Sequence, residues 1–308
     1  MPRSTAIAIV LLLAGGAAHA AAYDDAFTAY QKGDYPTALK LMTPLANQGN
    51  VNAQYNIGVM YNNNLVKQDY AEAAKWFRMA AAQGNVFAQV DLGTLYEFGR
   101  GVKTDYKEAL RLFQLAAEKK NPTAELSVGL MYERGLGVPQ DYKEAVKWYR
   151  LSSDHGNADA QYDLALMYAA GRGVQQDYKQ AVLWYRKAAD QGNASAQLNL
   201  GAMNYAGQGI AKNPKEALKY FRMAAQLGNG RAQFNLASLY TNGDDGIPQD
   251  RARALVWFNA AAVTLAGNEA KIADENSKAV AAQMTRDQLL SAQEIGRKCQ
   301  AGDYKGCD

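Results

Sequence analysis

The feature that most constrains this chain is a pattern of about 36 residues that returns through most of its length, because a fixed period of that size makes each unit one supersecondary element stacked on its neighbours. The dipeptide Gly-Asn marks it at Gly49-Asn50, Gly84-Asn85, Gly156-Asn157, Gly192-Asn193, Gly228-Asn229 and Gly267-Asn268, with Lys120-Asn121 standing in once. Successive marks lie 35, 36, 36, 36, 36 and 39 residues apart. A second mark, Asp-Tyr, follows about twenty residues later at Asp69-Tyr70, Asp105-Tyr106, Asp141-Tyr142 and Asp177-Tyr178. Each unit therefore contains two segments.

In the first segment Ala53, Ile57, Met60 and Tyr61 form the apolar stripe of an amphipathic helix, repeated as Ala160, Leu164, Met167 and Tyr168. Gly58, Gly93, Gly129 and Gly201, or Ala165 and Ala237, fill one mid-helix position. Glycine there costs up to about 1 kcal/mol against alanine, so the restriction implies that a paired helix approaches closely. Gly99 and Gly101, with the equivalent pairs Gly135 and Gly137, Gly171 and Gly173, and Gly207 and Gly209, supply positive φ for a helix-to-helix turn. The second helix opens on Asp69 with Glu72, Asp105 with Glu108, Asp141 with Glu144 and Asn213 with Glu216, which read as reciprocal capping boxes. Its Ala73, Phe77 and Ala80 recur down the chain, each ring position preceded by Trp76, Trp148, Trp184 or Trp257 in four units, and these aromatics are expected in the core.

The unit N-x-x-A-Q-x-x-L-G-x-M-Y-x-x-G-x-G-V followed by D-Y-x-E-A-x-x-W-[YF]-R-x-A-A-x-Q-G closely resembles the Sel1-like repeat, a relative of the tetratricopeptide repeat. The resemblance implies an all-α, right-handed α/α solenoid of helix-turn-helix repeats over 50–84, 85–120, 121–156, 157–192, 193–228 and 229–267. Residues 21–49 read as an N-terminal capping helix pair, and 268–308 as a C-terminal cap with a helix around Arg286 to Lys298. Departures are local: Asn62, Asn63 and Asn64 replace the first turn, Asn204 replaces a Tyr, and Asn242 to Gly246 enlarge the sixth turn.

Arg3, the apolar run Ala6 to Leu13 and the A-x-A site ending at Ala20 predict a signal peptide over 1–20 and a periplasmic or secreted product without a membrane anchor. Removing Arg3 from 33 basic residues leaves 32 against 30 acidic, a net of +2 without clustering, which gives nucleic acid no electrostatic footprint. The two cysteines, Cys299 and Cys307, read as a disulfide in an oxidising compartment; a metal held by this pair alone would lack ligands. His155 is the single histidine after residue 20, and no H-E-x-x-H, G-x-S-x-G or S-x-x-K motif occurs. Asp244 and Asp245 have no recognisable calcium spacing, and the Asn193 sequon coincides with a helix start. No catalytic residue, cofactor or metal ligand is therefore expected.

A repeat array places its variable positions on a continuous face. Asn52, Phe87, Thr123, Asp159, Ser195 and Arg231 vary freely at one position, and Tyr55, Val90, Leu126, Tyr162, Leu198 and Phe234 vary at another while staying apolar. By similarity to tetratricopeptide repeats, these and Val59, Thr94, Leu130, Leu166, Ala202 and Ser238 are expected to line a concave groove for a protein or peptide partner. The reading is a non-catalytic interaction module or adaptor of the bacterial envelope or exterior, tied to envelope signalling or assembly. Its alternatives are a secreted host-interaction factor and a β-lactamase-like, penicillin-binding hydrolase of the cysteine-rich Sel1 branch. That branch carries paired cysteines inside its repeats, and none of the six repeats here has them.

Overall fold

The computed structural model describes residues 22–301, Tyr304 and Cys307; the expected signal peptide and its cleavage site lie outside the described residues. Every regular element among them is a helix: α1 (residues 22–31), α2 (Tyr35–Asn47), α3 (Val51–Asn62), α4 (Tyr70–Ala82), α5 (Val86–Phe98), α6 (Tyr106–Ala117), α7 (Pro122–Arg134), α8 (Tyr142–Asp154), α9 (Ala158–Ala170), α10 (Tyr178–Asp190), α11 (Ala194–Ala206), α12 (Pro214–Gln226), α13 (Gly230–Asn242), α14 (Arg251–Thr264), α15 (Gly267–Ala281) and α16 (Arg286–Ala301). They pack in sequential pairs, as an α/α solenoid does. The chain forms two compact units, Met1–Trp148 and Tyr149–Asp308.

The repeat marks are the capping chemistry. Asn50, Asn85 and Asn121 in the first unit, and Asn157, Asn193 and Asn229 in the second, each accept the backbone N–H three residues on, closing the start of a first helix. Asp69, Asp105 and Asp177 do the same for second helices, accepting two N–H groups each. The reciprocal half of the expected boxes is not made: Glu72, Glu108, Glu144 and Glu216 instead pair with Lys75, Arg111, Lys147 and Lys219 one turn on. The cap amides are already taken: the N–H groups of Asp69, Asp105, Asp141 and Asn213 donate to the carbonyls of Tyr61, Tyr96, Tyr132 and Asn204 on the preceding first helices.

The close approach inferred for the mid-helix glycines is present. A Cβ on Gly58 would stand 2.5 Å from the Phe77 ring, and one on Gly201 2.7 Å from the Phe221 ring. In the turns, a Cβ on Gly101 would meet the Tyr70 carbonyl carbon at 2.2 Å, so the start of one second helix rests on the turn of the next repeat. Where glycine is missing, Asn64 and Lys120 themselves take left-handed backbone, at φ 56° and 59°.

In the first unit Ala53, Ile57, Met60, Phe77, Leu92 and Phe113 are buried between the helix layers. In the second, Leu164, Leu200, Phe221, Leu236, Trp257 and Phe258 are. A buried glutamine ties the layers: Gln54 Nε2 donates to the Ala46 carbonyl, and Gln89, Gln161, Gln197 and Gln233 repeat this to Ala81, Ser153, Ala189 and Ala225. Gln83 and Gln191 complete the tie by donating to Gln54 Oε1 and Gln161 Oε1 at 2.8 and 2.9 Å.

At the N-terminal end α1 and α2 form the expected helix pair, turning at Gly33 (φ 78°) with Asp34 capping α2. The C-terminal end differs from expectation. Besides α16, which covers Arg286 to Lys298, it contains α15, and the last Gly-Asn mark does not cap it: Gly267 lies inside α15, after Ala266, which makes no side-chain cap. Cys299 and Cys307 are joined by a disulfide with Cα atoms 4.5 Å apart, and Tyr304 between them stacks on Trp257. Among the described residues, no helix is long and apolar enough to cross a membrane.

Candidate functional site

None of the eighteen variable positions is fully buried, although each lies on a first helix whose repeated apolar residues form the core. The reason is angular: residues i, i+3 and i+7 form a second stripe beside the core stripe of the same helix. In the first unit α3 presents Asn52, Tyr55 and Val59, α5 presents Phe87, Val90 and Thr94, and α7 presents Thr123, Leu126 and Leu130. In the second, α9 presents Asp159, Tyr162 and Leu166, α11 presents Ser195, Leu198 and Ala202, and α13 presents Arg231, Phe234 and Ser238.

These side chains are not equivalent. Phe87 is 60% exposed, whereas Tyr55, half-buried, has its ring 5.9 Å from Phe77 below and 6.0 Å from Phe87 beside it. Tyr162 lies 5.8 Å from Tyr185, and Phe234 meets Phe258 edge-on at 5.3 Å. Three of the four aromatics thus contribute one edge to the core and one to the face. The Thr94 and Ser238 hydroxyls are spent on carbonyls of their own helices, while Asp159 accepts from the Asn193 amide. Arg231 pairs with Glu269 of α15 at 2.8 Å.

The sequence reading missed a polar row one residue further along: Asn56, Asp91 and Ser127 in the first unit, Asp163, Asn199 and Asn235 in the second. Its signal was a position that is never apolar inside an otherwise apolar stretch. In this row Asn56 is paired with an aromatic hydroxyl of the preceding helix pair, and the Ser127 hydroxyl donates to the Thr123 carbonyl of its own helix. Asn56 Nδ2 donates to Tyr23 Oη at 2.8 Å, while the Tyr55 hydroxyl lies near Asp91 and those of Tyr162 and Tyr185 lie near Asn199. Burial raises the Asp91 carboxyl to about 6, outweighing the nearby Tyr55 hydroxyl, and pushes the Tyr185 hydroxyl up to about 12.

On the second unit this face is hollowed. A cleft of about 410 Å³ lies among Leu198, Ala202, Phe234, Asn235, Leu265 and Ile272, with Arg231 and Glu269 at its rim. An adjoining cleft of about 200 Å³, lined by Tyr205, Phe221 and Leu239, shares Ala202 and Asn235 with it. A further opening of about 630 Å³ lies between α14 and α16, against Val256, Val263, Leu289 and Ala292.

A family model described as the Sel1 repeat matches residues 51–85, 86–121, 122–157, 158–193, 194–229 and 230–262. Among solved structures, a protective antigen present in uropathogenic Escherichia coli strains and displaying an SLR fold is 32% identical, with a TM-score of 0.74. That likeness covers 96% of this chain and 67% of the antigen. A Sel1 repeat protein from Oxalobacter formigenes is 34% identical with a TM-score of 0.74, over 79% of this chain and 100% of its own. No curated protein matches the chain significantly.

Proposed function

Because the chain belongs to the Sel1 repeat family, whose repeats generally act as protein-interaction modules, we propose that the faces formed by its first helices bind a protein partner without catalysing a reaction. The observation that carries this reading is the stripe of eighteen variable residues, which stays at the surface while the repeated residues beside it are buried. No catalytic domain is identified in the chain. The product is proposed to work in the bacterial envelope or outside the cell after loss of residues 1–20, as an adaptor or regulator. Its likeness to a protective antigen favours a second reading of the same module, a secreted factor meeting host molecules.

Interface energy concentrates in a few aromatic anchors. Tyr55→Ala, Phe87→Ala, Tyr162→Ala and Phe234→Ala are therefore to be compared in two assays: capture of a partner crosslinked in the native envelope, and thermal unfolding. Phe87→Ala is expected to lower capture with little change in Tm, since its ring is largely exposed, at a cost of about 1 kcal/mol or more in affinity. The three half-buried rings should lose some of both. If all four lose stability and capture is unchanged, the binding face lies elsewhere.

A further inference from the structure

We propose that Asn242 is a self-modification site: in the folded chain its side-chain amide is converted to a carboxylate through attack by the following backbone nitrogen, while the fold holds the chain's other Asn-Gly pair unreactive. The assignment goes beyond partner binding and does not rest on it.

The sequence contains two Asn-Gly dipeptides, Asn229-Gly230 and Asn242-Gly243, at opposite ends of α13. Glycine after asparagine favours this chemistry because no Cβ obstructs the approach of its nitrogen to the asparagine Cγ, and its backbone turns freely. The Gly243 nitrogen bonds to the Asn242 Cγ, and the bond from Cγ to Nδ2 breaks. Nδ2 departs as ammonia, taking the proton that the backbone nitrogen gives up, and a five-membered succinimide remains. Water then adds to one of the two ring carbonyls and opens it, leaving aspartate or β-linked isoaspartate at position 242. Water is the sole co-reactant, and nothing is oxidised or reduced.

The two pairs differ in every feature that governs this step. Asn229 caps α13: its Oδ1 accepts the Ala232 N–H at 3.0 Å, which fixes the side chain over the helix start. Gly230 is buried, and a Cβ on it would stand 2.8 Å from the Leu265 side chain, so packing keeps water from the nitrogen that would react. Asn242, by contrast, is the exposed last residue of α13, and among the described residues its carboxamide has no hydrogen-bond partner. One bond restrains its neighbour: the Gly243 N–H donates to the Leu239 carbonyl at 2.8 Å. That bond is the final one of the helix, made where the chain departs with ψ 169° at Gly243, and helix ends open locally at little cost. The glycine after a first helix recurs as Gly99, Gly135, Gly171 and Gly207, where Phe98, Arg134, Ala170 and Ala206 precede it; asparagine precedes it in the sixth repeat alone. The charge so created falls on the candidate face, because Asn242 lines the cleft of about 200 Å³ together with Ala202, Tyr205 and Asn235.

The test is peptide mapping by mass spectrometry of the full chain held folded in warm, mildly alkaline buffer, beside a sample unfolded in urea, with isoaspartate scored by enzymatic methylation. In urea both asparagines should convert. In the folded sample Asn242 should convert to a mixture of aspartate and isoaspartate, and Asn229 at least about tenfold more slowly, since its side chain must first leave the cap and its glycine the core. Asn242→Gln, whose longer side chain requires a six-membered ring, should abolish the acidic shift that the folded protein develops on isoelectric focusing, without lowering Tm. Equal rates at the two sites in the folded chain overturn the assignment. So does an Asn242 that converts in urea and stays an amide when folded, which would mean that the bond to Leu239 holds the nitrogen.

Discussion

Asp91 lies on α5 with Tyr55 against its carboxyl, and burial holds its pKa near 6, above the ordinary carboxylate value. Between about pH 4 and pH 6 the folded chain therefore binds a proton that the unfolded chain releases, and stability falls as pH rises through that window. Asp91→Asn removes the charge while keeping the shape. Its expected effect is a higher Tm at pH 7.5, corresponding to at most about 3 kcal/mol for a carboxyl raised from 3.8 to about 6, and almost none at pH 4, where the native carboxyl is already neutral. Melts at the two pH values check this, and an equal gain at both would assign the effect to packing instead of charge. Much at this scale was legible beforehand. The Asn and Asp caps follow from residue type and register alone, and so does the left-handed Lys120, which occupies a glycine position. The Asn56 row was not legible, because Asn56 is met by Tyr23, 33 residues earlier, and no local rule connects them. The capping boxes failed because the cap amides of Asp69, Asp105, Asp141 and Asn213 donate to carbonyls of the preceding first helix, a partner that residue type does not reveal.

Between elements, the buried glutamines show how one helix end is held by the next. Gln83 and Gln191 each stand at the C-terminal cap of a second helix and supply a donor to the glutamine of the first helix before it. At the same position after α12 stands Leu227, largely exposed, and Gln197 Oε1 is left buried without a partner. Leu227→Gln should supply that donor and raise stability by about 0.5–1.5 kcal/mol. Urea unfolding measures it; a loss or no change would mean that the leucine's apolar contact outweighs the new bond. Helix pairs and turns were readable because glycine spacing and the 3.6-residue period agree. Helix α15 was not, since its buried stripe is Ala273, Ser277 and Val280, small residues without the repeat's aromatic signature, and its start has no side-chain cap.

For the molecule as a whole, the N-terminal segment and the C-terminal bridge make one joint expectation. Protein extracted from the envelope or medium should have an intact mass that begins at Ala21, and it should take up no thiol reagent after denaturation without reductant. Two modified cysteines would remove the bridge from the native protein, and a mass that retains Met1 would remove the proposed export. The variable positions of each unit could be written as a list beforehand, because comparing repeats separates variable from repeated positions. Their relief could not: the hollow is lined by Ala202 together with Leu265 and Ile272, and the latter two lie past residue 262, where the family match ends.

The ties between successive repeats are short in sequence. Arg78 reaches Tyr96 and Arg222 reaches Tyr240 over 18 residues, Asn193 reaches Asp159 over 34, and Arg231 reaches Glu269 over 38. A repeat therefore carries in its own sequence the groups by which it meets the repeat before it and the repeat after it. Gene duplication of one 36-residue block would insert a complete module with both joints intact, adding a new row of variable residues while leaving the old rows as they were. A chain built this way can change its repertoire of targets by counting, before a single side chain has mutated.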